Sequence, residues 1–231
     1  MHKVDGRGRA SLVRLLAAFA CGLSLLIGVG CSSRAKLHPA LRADDEVLKR
    51  AISRGKLWIA SGEPPTRLLP RLLEDVNIRV SSQVILRSAG CWWPVDEIAF
   101  HIAQEGDSSD AGVRKAVRQA LKVVERDLNF TVVVQLPKAR DPASVEFLLR
   151  TSTGVTYPPL AVEKPVFMRE VGYAFDPTAP TSSMYYYVVH FPVRGGPGIA
   201  PVGQTVRFLY LVVKDGESEG TAKFPLRTPS R

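Results

Sequence analysis

The chain has 231 residues, of which 31 are Lys or Arg and 22 are Asp or Glu, giving a formal net charge of +9 at neutral pH. Three cysteines are too few for a disulfide-rich scaffold. The positive charge is spread out, with no Lys/Arg run longer than two residues, which is typical of a solvated surface and not of a nucleic-acid site.

The first thirty residues have the three zones of a secretory signal. Met1 to Arg14 is polar and basic, and Leu15 to Gly30 is an uncharged apolar run. This run of 16 residues is shorter than the roughly 20 that a membrane-spanning helix needs. We therefore interpret residues 1–30 as a cleaved signal peptide, with an uncleaved anchor as the alternative.

The segment Ile27-Gly28-Val29-Gly30-Cys31 resembles the lipobox of bacterial lipoproteins. The resemblance implies that cleavage leaves Cys31 as the first residue and that its thiol carries a lipid such as palmitate, although Gly28 stands where the family more often has leucine. Acyl chains contribute about 0.8 kcal/mol per buried CH₂, so two or three of them anchor a protein stably. Ser32 resembles the residue found in lipoproteins sent to an outer membrane. The expected location is the cell envelope, on the outer face of a bacterial membrane, with the periplasmic side of an outer membrane favoured if the cell has one.

Processing would change the charge and the cysteine count. Removal of residues 1–30 leaves 27 basic and 21 acidic side chains, a net charge of +6. Cys21 leaves with the signal and Cys31 carries lipid, so Cys91 remains alone and cannot form an internal disulfide. Residues 31–43 comprise the lipidated cysteine and a short polar tether, which keeps the folded part close to the membrane.

The folded part begins with a predicted helix and a predicted strand. Acidic residues from Asp44 and basic residues up to Arg54 predict a helix that Gly55 ends. Apolar residues at alternating positions then predict one strand over residues 76–87.

Cys91 precedes two tryptophans, Trp92 and Trp93. The tryptophans belong either to the core or to a ligand pocket. A thiol enzyme would need a histidine such as His101 or His190 close to the cysteine and a low thiol pKa. A free cysteine in such surroundings is more often a small buried apolar residue.

Two further helices are predicted before the strand-rich half. The segment Pro94–Gln104 also alternates as a strand would, but Pro94 suits a first helical position, so we favour a helix. The segment at about 109–128 is an amphipathic helix, which Ser109 can cap. Its outer face is basic, with Arg114, Lys115, Arg118, Lys122 and Arg126. One alternative function is therefore a basic module that docks on anionic lipid.

From Phe130 the period of the apolar residues changes to two. Strands are predicted near residues 130–136, 145–149, 155–157, 166–171, 185–191, 206–213 and 221–226. Lys214–Glu217 predicts a hairpin turn, and no helical pattern interrupts the strands, so antiparallel sheets are expected.

This strand rhythm resembles the immunoglobulin-like sandwiches of bacterial envelope lipoproteins. The resemblance implies an α+β fold whose core is an antiparallel immunoglobulin-like β-sandwich, mainly over 130–226. The amphipathic helix and the second short helix would pack as an insertion or a flanking layer in a single domain over 44–228. Such sandwiches host many functions, so the resemblance implies fold alone.

Signals of catalysis are sparse. The histidines after residue 31 have no His or Cys partner at metal-ligand spacing, and no G-x-S-x-G motif occurs. We expect no metal, no cofactor and no enzyme activity. The alternative is a hydrolase or thiol enzyme that uses Cys91 or His190.

The cluster Met184-Tyr185-Tyr186-Tyr187 is the best indication of binding. Strand alternation directs Tyr186 to the face opposite Tyr185 and Tyr187, beside His190. Exposed tyrosine suits sugar and protein contacts, whereas a covering helix would make it a packing residue.

The predicted binding set is thus Trp92, Trp93, Tyr186 and His190. The predicted function is that of a membrane-anchored envelope lipoprotein acting by binding or scaffolding. Its expected partner, beside the membrane reached through Cys31, is another envelope protein or a cell-wall polymer, and no nucleic acid.

Overall fold

The structure is a computed structural model, and it describes residues 37–64, 72–171, 181–193, 195 and 201–226. The predicted signal peptide and Cys31 lie outside these residues. The described residues belong to one compact unit, and the boundaries predicted for the signal, tether and domain remain predictions.

Helix α1 spans Asp45–Ala60 and begins where the Asp44 carboxylate accepts a hydrogen bond from the Val47 amide at 2.9 Å. The predicted end at Gly55 is wrong, because the helix continues through it. A Cβ at position 55 would lie 2.7 Å from the Cβ of Ile102. The glycine therefore permits a close helix–helix approach instead of ending the helix.

Two more α-helices are described, α2 over Pro94–Glu105 and α3 over Asp110–Val124, as expected from the pattern. Gly106 ends α2 in the left-handed conformation (φ 70°), and Ser109 caps α3. Helix α3 ends earlier than the predicted 128, because Leu128 begins a strand. The three helices share an apolar core of Ala51, Ile98, Ile102, Val113, Ala116, Ala120 and Val124. Two short 3-10 helices lie at Pro39–Leu41 and Pro142–Ser144.

The larger sheet has six strands. They are β1 (Glu74–Arg79), β2 (Ile85–Trp92), β3 (Leu128–Pro137), β6 (Ala161–Val162), β7 (Val166–Val171) and β8 (Ser182–Phe191). The order is β1-β2-β3-β8, and both β6 and β7 pair with β8 at the far edge. Every pairing is antiparallel.

The single strand predicted over 76–87 is wrong, because the chain reverses inside it. The Val80 amide donates to the Val84 carbonyl at 2.9 Å, so β1 and β2 form a hairpin. The Ser81 hydroxyl accepts hydrogen bonds from the Gln83 and Val84 amides, both at 3.1 Å. Serine stabilises a turn here by bonding to the backbone that follows it.

The smaller sheet has four antiparallel strands in the order β10-β9-β4-β5. They are β4 (Glu146–Thr151), β5 (Thr156–Tyr157), β9 (Phe208–Asp215) and β10 (Ser218–Pro225). The predicted hairpin joins β9 to β10, with Gly216 in the left-handed region at φ 60°. Strand β9 is central in its sheet, as its apolar run indicates.

Side chains from both sheets share one apolar core. The rings of Phe130 on β3 and Phe224 on β10 lie 5.2 Å apart, and those of Phe147 on β4 and Tyr187 on β8 lie 5.1 Å apart. The expected α+β class with antiparallel sheets is confirmed. Two apolar cores result, one among the helices and one between the sheets.

Candidate functional site

Three of the predicted binding residues lie on one face of the six-stranded sheet, the face turned away from the core shared with the smaller sheet. Trp92 pairs with Asn129 across β2 and β3, and Asn129 pairs with His190 across β3 and β8. We call these three residues the polar row. Tyr186 is on the same face because it lies four residues before His190 along β8, and side chains alternate between faces.

A chain of hydrogen bonds runs through Asn129 and His190 of the polar row and defines the candidate site. The Asn129 amide donates to Glu97 Oε2 at 3.1 Å, and Asn129 Oδ1 lies 2.8 Å from His190 Nδ1. His190 Nε2 lies 3.1 Å from Glu163 Oε1, and His101 Nε2 lies 3.3 Å from Glu97 Oε1. Glu97, Asn129, His190 and Glu163 form the hydrogen-bonded chain, and His101 lies at ion-pair distance from its buried end at Glu97.

The proton positions in this chain follow from the chemistry of its ends. A carboxylate only accepts, so the Asn129 amide nitrogen must face Glu97 and its oxygen must face His190. His190 then donates from Nδ1, while its Nε2 faces the Glu163 carboxylate. Both ring nitrogens of His190 face oxygen acceptors, an arrangement in which a protonated imidazole makes two hydrogen bonds.

Burial decreases along the chain from the interior to the surface. Glu97 and Asn129 are buried, His190 is half-buried, and the Glu163 side chain is 59% exposed. A partner can therefore reach Glu163 and the rim of His190, whereas Glu97 and Asn129 hold the imidazole from below. The arrangement positions a hydrogen-bonding group, the His190 imidazole, at the surface. The residues of the hydrogen-bonded chain include no Ser or Cys that could act as a nucleophile.

A crevice beside Glu97 and Asn129 is also lined by Trp92 and by the buried Asp127. Its volume is about 10 Å³, which accommodates about one water molecule. The buried Trp92 Nε1 has no hydrogen-bond partner in the described part of the chain. The crevice is too small for an organic substrate.

Tyr186 is half-buried beside the polar row. Burial raises its pKa to about 12, and the negative charge of Glu163 adds to the shift. The phenol therefore stays neutral at physiological pH. Tyr186 offers an apolar ring with a polar tip, as its position in the sequence predicts.

Trp93 does not join the other predicted binding residues. It precedes Pro94 as the N-cap of α2 and packs against the core between the sheets. The Trp92 ring, in contrast, contacts the Phe100 ring at 5.0 Å. Adjacent residues at the end of a strand point to opposite faces, which separates the two tryptophans.

Cys91 lies on the core side of the sheet, paired with Phe130. Burial raises the pKa of its thiol well above the usual range, and the nearby charge of Asp96 raises it further. His190 is on the opposite face of the sheet, and within the described part of the chain no hydrogen bond joins Cys91 to His101 or His190. A reactive thiolate needs the reverse conditions, so this environment favours a packing role.

Sequence reasoning missed Glu97, Asn129 and Glu163. Glu97 reads as an ordinary acidic residue in the first turn of a helix, and Asn129 as a polar residue at the start of a strand. Nothing local links residues so far apart in the chain. The pairing of β3 with β8 brings Asn129 to His190, the pairing of β6 with β8 brings Glu163 there, and Glu97 on α2 joins through Asn129.

Two other surfaces stand out. The outward side of α3 exposes Arg114, Lys115 and Arg118, and Lys115 is paired with Glu105 at 2.6 Å. The far edge of the six-stranded sheet exposes a set of large apolar side chains that we call the apolar edge: Leu160, Val162, Val166, Phe167 and Met168. Apolar residues at successive positions around Pro165 are the sequence signal that would have indicated this edge.

Among the described residues, no three His, Cys, Asp or Glu side chains lie together as a group that could hold a metal ion. None of the helices described has the length and apolarity needed to cross a membrane.

No known protein family matches the sequence. No curated protein matches it either. Among solved structures, the chain is similar to a protein of unknown function from Burkholderia pseudomallei, with a TM-score of 0.28 and 10% identity over 71% of this chain and 84% of that one.

Proposed function

We propose that this protein is a cell-envelope lipoprotein, held by lipid on Cys31 at the outer face of a bacterial membrane. The support is the sequence from the basic start to the cysteine, which resembles a lipoprotein signal. Intact mass spectrometry of the protein from membranes, beside Cys31→Ala, tests this. A mass that shows cleavage before Cys31 and an added diacylglycerol, absent from the variant, supports the anchor; an unmodified or differently cleaved chain contradicts it.

The anchored domain acts by binding or scaffolding through the surface end of the hydrogen-bonded chain. The observation that carries this proposal is that Trp92, Tyr186 and His190, from two separate strands, lie on one sheet face, where buried Glu97 and Asn129 orient the imidazole. An aromatic ring beside an oriented imidazole and an exposed carboxylate suits the hydroxyl groups of a sugar polymer or a polar protein surface.

Binding is tested with purified cell-wall polymer and with envelope proteins cross-linked in cells. His190→Ala and Tyr186→Phe should weaken sedimentation with the polymer, or should remove a specific cross-link made from the exposed position 163. Tyr210→Phe is the matched control, because Tyr210 is a half-buried strand tyrosine in the other sheet. Equal behaviour of all three variants would contradict a role for this face.

A basic module that docks on anionic lipid is the second candidate, favoured by the exposed arginines and lysines of α3. Association with anionic vesicles through this helix would weaken as salt rises, because exposed charges are screened. Reversal of Arg114 and Arg118 to glutamate should abolish such association if this candidate is correct.

We also propose that the two sheets form an immunoglobulin-like sandwich within one domain over 44–228. The shared core and the ring contacts between sheets support it. Aligned sandwiches have strand directions within about 30° of each other. An experimental structure with the two sheets crossed near a right angle would contradict the proposal.

A further inference from the structure

The apolar edge exposes large apolar side chains of the kinds that protein cores normally bury. Leu160 is 57% exposed, Val162 42%, Val166 59%, Phe167 53% and Met168 49%. The residues come from β6, β7 and the segments beside them, which lie along the outer side of β8. An exposed apolar set at one sheet edge, with side chains on both faces, indicates contact with a protein or a membrane.

The backbone of this edge is poorly suited to adding another strand. Pro165 lies between β6 and β7 and donates no amide hydrogen bond. Met168 is the extra residue of a β-bulge, since Phe167 pairs with Tyr185 while Arg169 pairs with the adjacent Met184. Prolines, bulges and charged residues are the features that keep edge strands from pairing. The edge therefore offers its side chains, and not its backbone, to whatever covers it.

Hydrogen bonds connect the Leu160 end of the apolar edge to the start of the described chain at Leu37. His38 donates to the Val202 carbonyl, Val202 donates to the Val193 carbonyl, and Leu160 donates to the His190 carbonyl. With about 5 Å between paired strands and about 3.3 Å per residue, these links place Leu160 within about 28 Å of Leu37. Phe167 pairs with Tyr185, which lies before His190 on β8 and so farther from Leu37.

The lipid anchor sets how far the domain can stand from the membrane. Five residues lie between Cys31 and Leu37, and an extended chain over that interval reaches about 20 Å. A domain of this size is about 40 Å across. The side of the domain that holds Leu37 must therefore face the bilayer closely.

We propose that the apolar edge contacts the lipid surface and inserts its side chains among the headgroups of the membrane that carries the Cys31 anchor. The proposal rests on the lipoprotein assignment. Lys164 and Arg169, which are exposed within the same segment, suit the phosphates of the headgroup layer. The lipid anchor and the edge then fix the orientation of the polar row relative to the membrane.

The test uses the full-length chain, processed in a bacterium and reconstituted in vesicles of phosphatidylethanolamine and phosphatidylglycerol. Phe167→Cys and Met168→Cys each carry an environment-sensitive fluorophore. Leu57→Cys is the matched control, because Leu57 is 67% exposed on α1. The buried Cys91 does not compete for the label. The emission of the labels at 167 and 168 should shift to the blue and should be quenched by nitroxide lipids, and both effects should persist at high salt. The emission of the label at 57 should show neither effect.

Each other outcome overturns the proposal in a distinguishable way. Labels at 167 and 168 that behave like the control, on protein whose mass shows lipid on Cys31, refute membrane contact and leave the lipoprotein assignment standing. A mass without lipid refutes both. Pyrene excimers from position 168 in purified vesicles would show that a second copy covers the edge. Protection of position 168 in whole envelopes, without quenching in purified vesicles, would show a protein partner. Phe167→Glu in the Met168→Cys background should lose the quenching.

Discussion

Asn129 joins the helices to the sheet and holds His190, so its removal gives a specific prediction. In Asn129→Ala the Glu97 carboxylate loses the amide donor at 3.1 Å and His190 loses the acceptor at 2.8 Å. Both Asn129 and Glu97 are more than nine-tenths buried. A hydrogen bond to a charged group contributes about 1.5–3 kcal/mol and an orphaned buried group costs about 1–3 kcal/mol. We expect the free energy of unfolding to fall by about 2–4 kcal/mol, allowing for partial rearrangement.

The assay is urea unfolding of the chain from residue 32 onward, followed by tryptophan fluorescence. Gln135→Ala is the matched control, because Gln135 lies on the same face of β3 and makes hydrogen bonds with Arg87 and Ser182 at 2.6 and 2.5 Å. Gln135 is half-buried, so water replaces its partners and the loss should be about 1 kcal/mol. A loss for Asn129→Ala that is no larger than that of Gln135→Ala would refute the reasoning that burial makes this chain of hydrogen bonds costly to break.

Three further predictions test other parts of the description. Cys91→Ala should keep partner binding, and iodoacetamide should modify native Cys91 far more slowly than the unfolded chain, because burial raises the pKa of the thiol; rapid labelling would revive the thiol-enzyme alternative. Gly55→Ala should lower the urea midpoint, since overpacking costs about 1–3 kcal/mol and the gain in helix propensity is about 1 kcal/mol; a raised midpoint would show that Ile102 yields easily. The contribution of Tyr186 to stability should be complete below pH 10 and be lost as the pH rises towards 12, because burial raises its folded pKa to about 12 while the unfolded phenol titrates near 10; Tyr186→Phe should flatten this alkaline loss, and an unchanged profile would contradict the assignment.

The elements with a clear period were predictable from the sequence. Helix α3 and the strands from β3 onward, except β6, follow the spacing of their apolar residues, and the Lys214–Glu217 turn follows from its glycine. The predictions at Gly55 and at Ser81 were wrong because each applied a simple local rule that another interaction overrode. Local rules assign a glycine to a helix end and an apolar run to one strand, whereas packing against Ile102 and a serine-stabilised turn decide the outcome.

The candidate site was predictable only in part. Strand alternation places Tyr186 and His190 on one face, and the structure adds Trp92 to it. Glu97 and Asn129 could not be predicted, because their roles depend on which strand lies beside which. Trp93 could not be separated from Trp92 without knowing that β2 ends between them and that a helix begins at Pro94.

The hydrogen bond between Glu97 and Asn129 has a consequence for communication across the molecule. Glu97 lies in the first turn of α2, next to Asp96, whose carboxylate is paired with Arg54 of α1. A ligand that changes the hydrogen bonding of His190 therefore changes the hydrogen bond from Asn129 to Glu97. Because Glu97 lies next to Asp96, this change also affects how firmly α1 and α2 are held to the sheet. By thermodynamic linkage, slower amide exchange in α1 on ligand binding would imply that stabilising α1 tightens the ligand in return. Ligand binding on the sheet and the stability of the helices would in this way be coupled, although the two layers fold around separate apolar cores.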